Sequence, residues 1–247
     1  MFTLRISFYR LLSFSVLCLL NALILTACAL PWNHHTASTL PATPTAQQLL
    51  ATLQKNFRNV STFHVVMQVQ NPGQAVQDQV QIRSANGDVS MPDKVKAQAT
   101  VMLSGQPVTI NLISIGANQF ITDPVTGQWR IVKGVLDPRT LTNPNTGLLS
   151  LIGKLRNVSR PVSDSTNGTP CWRITGQLAA KDLAFFTGGG VSPTTMLKTS
   201  ACVGKADALP YQLVVTGQAA RGDLAQTART FLLSRYNESV TIQAPQL

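Results

Sequence analysis

The chain has 247 residues and carries 20 Lys+Arg against 10 Asp+Glu, a formal charge of +10. Only 12% of its residues are charged, about half the usual share, and low charge with alternating polar and apolar positions points to a large sheet. The basic balance favours anionic surfaces; in an exported chain that argues against nucleic acid and leaves an anionic membrane or a basic surface with no partner.

Export is read from the first residues. Arg5 and Arg10 precede an apolar run from Leu11 to Leu25, and the small residues Thr26 and Ala27 follow. That is the order of parts of a secretory signal, and the run is shorter than the roughly 20 residues of a membrane span. Leu25-Thr26-Ala27-Cys28 resembles the bacterial lipobox, which implies cleavage after residue 27 and acylation of Cys28. One acyl chain anchors marginally, whereas two or three hold firmly. Residues 28–45, "CALPWNHHTASTLPATPT", read as a Pro/Thr-rich tether. Its adjacent His34 and His35 supply at most two ligands, so no metal site is expected.

Thr45 caps a predicted helix with Leu49, Leu50, Leu53 and Phe57 on one stripe. "TFHVVMQVQ" then alternates as a half-buried strand, with His64 on the polar side opposite Val65. "DQVQIRS", "KAQATVML", "PVTINLISI", "NQFITD" and "QWRIV" repeat the pattern, separated by turn signals that include Asn71-Pro72-Gly73, Asn86-Gly87-Asp88 and Gly116-Ala117-Asn118. They predict an antiparallel meander of about six strands.

"DPRTLTNPNTGLLSLIGKL" holds two Asx-Pro pairs, Asp137-Pro138 and Asn143-Pro144, each suited to start a helix. The second predicts a helix with Leu148, Leu149, Ile152 and Leu155 as its apolar face. "RNVSRPV", "CWRITGQL", "MLKTSACV", "YQLVVTG", "ARTFLLSRY" and "SVTIQA" form a second set of strands, with a short helix at Ala180 to Phe186. Phe185 and Phe186, beside the glycine turn, are read either as core or as guards of a mouth.

After processing, Cys171 and Cys202 are the remaining cysteines, and export favours a disulfide between them, worth roughly 3 to 4 kcal/mol by loop entropy. Zinc lacks further ligands. Catalytic constellations are scarce: no Gly-x-Ser-x-Gly elbow occurs, and the glycines at 188–190 lack the ending of a phosphate loop. We expect no enzyme and no cofactor. The Asn-x-Ser/Thr triplets at Asn59, Asn157, Asn167 and Asn237 are read as chance.

The lipobox, the tether, the helix entering "STFHVVMQV", the meander ending in "QWRIV", and above all "DPRTLTNPNTGLL" and "WRITGQL" resemble the LppX/LprG-type lipoproteins, from about Leu49 to Ile242. The resemblance implies a single α+β domain over residues 46–247: a strongly curved antiparallel half-barrel with helices on its concave face, enclosing an apolar cavity. It implies binding of acylated lipids or glycolipids and their carriage in the cell envelope, by a monomer lipid-anchored to the outer face of the bacterial membrane and served by a membrane exporter. The cavity would be lined from the meander by Val65, Val69, Ile82, Leu103, Ile110 and Leu112, with Phe120 and Trp129. Leu148, Leu149 and Ile152 would line it from the helix. The pair Cys171 and Cys202 departs from the mycobacterial members. The competing reading is a cavity-free structural or sensory envelope protein that binds another protein.

Overall fold

A computed structural model of the chain describes residues 43–74, 81–134, 138–143, 147–148 and 150–247. Helix α1, Ala46–Phe57, starts where expected. Thr45 is its N-cap: the Gln48 amide donates to Thr45 Oγ1 at 3.2 Å, and the Thr45 amide donates to Gln48 Oε1 at 2.9 Å. This reciprocal box satisfies two donors that the first turn leaves open. The stripe predicted from spacing is the buried one, with Leu49, Leu53 and Phe57 in the core and Leu50 packed beside them.

Eleven strands follow among the described residues. The first six are β1 (Thr62–Gln70), β2 (Gln81–Ser90), β3 (Lys94–Leu103), β4 (Gln106–Ile115), β5 (Asn118–Thr122) and β6 (Trp129–Val132). The remaining five are β7 (Val162–Thr166), β8 (Thr169–Ala179), β9 (Met196–Gly204), β10 (Pro210–Thr216) and β11 (Ala228–Ser234). All pairs are antiparallel, in one open sheet of order β6-β5-β4-β3-β2-β1-β11-β10-β9-β8-β7. Two meanders are therefore stitched together where β1 pairs with β11.

Cross-strand partners share a face, so the register assigns the two sides. One row runs Ile110, Ala99, Ala85, Met67, Phe231, Leu213, Ala201 and Ile174, across eight strands without a polar residue. This is the core face. Its main cluster joins Phe63, Met67, Phe231 and Ile174 to Leu53 and Phe57 of α1. The opposite face carries His64, Gln68, Asp88, Lys96 and Gln98, as strand alternation requires.

Between the meanders lie α2 (Pro138–Thr142) and α3 (Ser150–Gly153). Thr142 Oγ1 donates to the Pro92 carbonyl, which seats α2 against the β2–β3 turn. After β8 come a 3-10 turn at Ala180–Leu183 and α4 at Ala184–Thr187. Gly188 ends α4 in a left-handed conformation at φ 74°, and Gly189 and Gly190 stay there, so the glycine run is a turn. Cys171 and Cys202 are disulfide-bonded across β8 and β9, with Cα atoms 5.6 Å apart. Register places them diagonally, since Cys202 faces Arg173 and Cys171 faces Gly204.

Four expectations are corrected. Asn86-Gly87-Asp88 is mid-strand in β2, and the turn comes later, at Met91–Asp93. Gly87 is there because β3 passes close by: a Cβ would sit 2.6 Å from Ala97 Cβ. Of the helix drawn from Asn143-Pro144 through Leu155, the described residues form only α3. The Leu148 amide turns back to the Leu141 carbonyl at 3.1 Å, and a Cβ on Gly147 would meet that oxygen at 2.2 Å. "RNVSRPV" gives only an isolated bridge from Arg156 to Gln177 before β7, because Asn157 has φ 52°, outside the extended region. "SVTIQA" forms no strand, since Arg235 and Asn237, at φ 54° and 60°, turn the chain off the sheet after β11.

Candidate functional site

The expected lining residues separate into three groups. Val65, Val69 and Ile82 are half-buried and pack against the main core. Ile110 and Leu112 lie on the same face, half-buried and buried respectively, through the pairs Ala99–Ile110 and Ala97–Leu112. Leu103 ends β3 on this face at 48% exposure. Leu148 and Ile152 are in the core cluster, at 4% and 1% exposure. Leu149 and Cys28 lie outside the described residues, as do the signal and nearly all of the tether.

Phe120 and Trp129 are on the other side of the sheet. Phe120 pairs with Ile113 and Ile131, whereas the core-face residue of β5 is Ile121, opposite Leu112. Trp129 faces Thr122, two residues on from Phe120 and so on Phe120's side. Ile113, Phe120 and Ile242 form a separate buried cluster, with Ile115, Trp129 and Val240 against it. The structure does not bring these two aromatics together with Val65 and Val69.

At the middle of β2 and β3 the core face has little side-chain bulk. Ala85 opposes Ala99 and Gly87 opposes Ala97, and three of these four are only half-buried. Val65 and Met67 border the patch on β1, Ile110 and Leu112 on β4. Sequence reasoning passed over these small residues because it looked for large apolar ones. The signal was present in "SANGD" and "KAQAT", whose alternate positions hold nothing larger than alanine.

Beyond Val69, the core face closes on a buried ion pair. Arg229 opposes Val69 and Val215, and its two terminal nitrogens donate to Asp223 at 2.7 and 2.9 Å. Asp223 also accepts from the Ala219 and Ala220 amides at 2.9 and 2.8 Å. A buried charge is tolerated when paired and hydrogen-bonded in this way. Thr187 Oγ1 donates to the Ala219 carbonyl at 2.9 Å, and Phe186 meets Phe231 edge-on at 5.6 Å. Phe185 and Phe186 are both half-buried against the main core, so they serve as core.

On the polar face, His64 Nδ1 and Asp88 Oδ1 are 2.7 Å apart across β1 and β2. Arg173 donates to Asp164, to Ser200 Oγ at 3.2 Å and to Gln212 Oε1 at 3.0 Å, tying four strands together. Its guanidinium, with the Ser165 amide, holds the Asp164 carboxyl below the usual range. A cleft of about 540 Å³ lies where the chain enters the fold, lined by Thr43–Ala46 and Val158–Val162; none of the expected lining residues is in it. Among the described residues no three His, Cys, Asp or Glu side chains are grouped to hold a metal. No helix among them is long and apolar enough to cross a membrane.

The family model of the LppX_LprAFG lipoproteins matches residues 45–242. The fold is similar to the crystal structure of LprF from Mycobacterium bovis, with a TM-score of 0.66 at 20% identity over 83% of this chain and 99% of that one. It is similar to LppX from Mycobacterium tuberculosis, with a TM-score of 0.56 at 16% identity over 79% of this chain and 98% of that one. No curated protein sequence matches the chain.

Proposed function

The chain belongs to the LppX_LprAFG lipoprotein family, and on that premise we propose that it is a membrane-tethered carrier that holds lipid acyl chains against the core face of its sheet. The observation that carries this reading is the patch of Ala85, Gly87, Ala97 and Ala99, bordered by the half-buried Val65, Ile82 and Ile110. A carrier needs an apolar surface that the protein does not fill with its own side chains. Burying an acyl chain of about 16 carbons is worth roughly 12 kcal/mol at about 0.8 per methylene, which more than offsets the ordering of one chain.

In this reading Val65, Val69, Ile82, Leu103, Ile110 and Leu112 contact the ligand, and Leu148, Leu149 and Ile152 back it. Phe120 and Trp129 are left out, because their face is covered by Ile242. Cys28 carries the anchor, and residues 28–45 give the domain at 46–247 its reach from the outer face of the membrane. The role asks for no reacting group.

Ala99→Phe tests the patch directly, since residue 99 sits between Ala85 and Ile110. The variant is expected to lose uptake of a fluorescent diacylglycerol while melting cooperatively. Undiminished uptake by a folded variant contradicts the reading. It would turn attention to a protein partner, for which Ile131 and Val162, exposed on edge strands β6 and β7, are the candidate contacts.

A further inference from the structure

The turns at the two ends of the sheet differ in what they expose. Among the described residues, Leu103 before the β3–β4 turn, Val125 between β5 and β6, Met196 at the start of β9 and Leu224 between β10 and β11 are large apolar side chains open to solvent. Because every strand pair is antiparallel, all four lie at the end where β3, β5 and β10 finish. The turns at the opposite end, β2–β3, β4–β5, β7–β8 and β9–β10, expose no large apolar side chain. An isolated exposed apolar residue is ordinary; confinement of the turn residues to one end calls for an explanation.

Charge at that end has one sign left over. The β8–β9 and β10–β11 loops are joined, since the Arg221 amide donates to the Gly189 carbonyl at 3.1 Å. The Ala180 amide donates to the Thr195 carbonyl at 2.9 Å, which sets Lys181 beside the start of β9. Both carboxylates of these loops are already taken: Asp223 is buried with Arg229, and Asp182 lies 3.4 Å from Lys154 Nζ. Arg221, Lys181 and Lys198 are exposed, and none of them forms an ion pair among the described residues. Met196 and Leu224 therefore stand among three uncompensated cations. Apolar tips that enter the headgroup region, flanked by cations that meet lipid phosphates, are what an anionic bilayer surface receives.

We propose, on the premise that the chain is a membrane-tethered carrier, that this end of the sheet docks on an anionic bilayer, with Leu224 and Met196 entering its surface and Arg221, Lys181 and Lys198 on the phosphates. Leu103 carries the core face out to the same end, so docking brings the acyl-chain face to the lipids it draws on.

The test uses the full chain, purified in mild detergent and reconstituted on vesicles of phosphatidylcholine, alone or with about one-third phosphatidylglycerol. A fluorophore on Ala225→Cys, exposed beside Leu224, is quenched on contact by spin-labelled lipids. The same label on Ala117→Cys, exposed in the β4–β5 turn at the opposite end, is the reference. Each cation at an anionic surface is worth about fivefold, so the docked-to-free ratio at residue 225 is expected to be at least about tenfold higher with phosphatidylglycerol than without. Residue 117 should stay unquenched on both vesicles. Replacing Arg221, Lys181 and Lys198 together by Gln should abolish the difference. Salt at about 0.5 M should do the same in the unaltered chain, which carries the test if the triple variant fails to melt cooperatively. Residue 225 unquenched on both vesicles overturns the proposal and leaves this end to a protein partner. Equal quenching on both, or quenching of residue 117, overturns it as well. Acyl lipid extracted from the same preparations separates the two readings. Lipid retained without docking overturns this proposal alone, whereas a chain that washes off both vesicles and retains no lipid overturns the carrier reading with it.

Discussion

Replacing Arg229 by Met tests the closed end of the core face. The substitution keeps an apolar stem of similar length beside Val69 and Val215 and deletes the only side chain among the described residues that forms an ion pair with Asp223. Arg229 and Asp223 are both 8% exposed, so the stranded carboxylate meets little water. Breaking a buried pair from one side costs about 3–5 kcal/mol. The two amides of Ala219 and Ala220 still donate to Asp223, which favours the lower end, about 3 kcal/mol. For a domain of this size each kcal/mol lowers Tm by about 2–4 °C, so the expected fall is roughly 6–12 °C. Calorimetry on the disulfide-intact protein measures it. Asp223→Leu with Arg229→Met removes both charges and should recover most of the loss. The loop also holds the end of β1, since Thr227 Oγ1 donates to the Asn71 carbonyl at 2.7 Å, so lipid uptake should weaken in the single variant. A single variant within about 1 kcal/mol of the parent, or a double variant no more stable than the single one, refutes this reasoning.

Leu148→Trp enlarges a side chain that is 4% exposed and should block lipid uptake while cooperative melting persists; unchanged uptake removes this residue from the wall. Reducing the Cys171–Cys202 bond releases a loop with a sequence separation of 31 and should lower stability by roughly 3–4 kcal/mol. Intact mass with and without reductant checks the bond, and two free thiols in the native protein would contradict it. Burial, then the hydrogen bond donated to Asp207, pushes the Tyr211 phenol up to about 12, and burial raises Tyr236 well above its ordinary value of 10. Because the folded values lie above the unfolded ones, this stabilisation is complete below about pH 10 and is lost as pH rises toward 12. Phenolate absorbance should therefore appear late and together with unfolding; both tyrosines ionising near pH 10 in folded protein would contradict the packing.

The first meander was readable because strands such as β1 and β3 alternate between turn signals, and a period of two is the strongest signal a half-buried strand has. Thr45 was readable as a cap for a similarly local reason. What escaped depended on contacts distant in the chain. Asn86-Gly87 has turn composition, yet the glycine serves a close approach to Ala97 that no local pattern reports. Strand β4 is apolar on both faces, with Ile110 and Leu112 on one and Ile113 and Ile115 on the other, so alternation alone could not tell which neighbours share a side. The face of Phe120 is decided by Ile242, more than a hundred residues away. "SVTIQA" alternates like a strand because it lays apolar residues on a sheet face rather than joining an edge. The extra residue in β2, Arg83, between the pairs Ile82–Val101 and Ser84–Thr100, leaves no sequence signature at all.

Native mass spectrometry with organic extraction on the full chain, purified in mild detergent from the envelope that makes it, tests the central claim most directly. The account predicts a discrete acyl-lipid adduct in whole-number stoichiometry, lost in the Ala99→Phe variant. A clean mass for the folded protein, unchanged after incubation with acyl lipids, would contradict it.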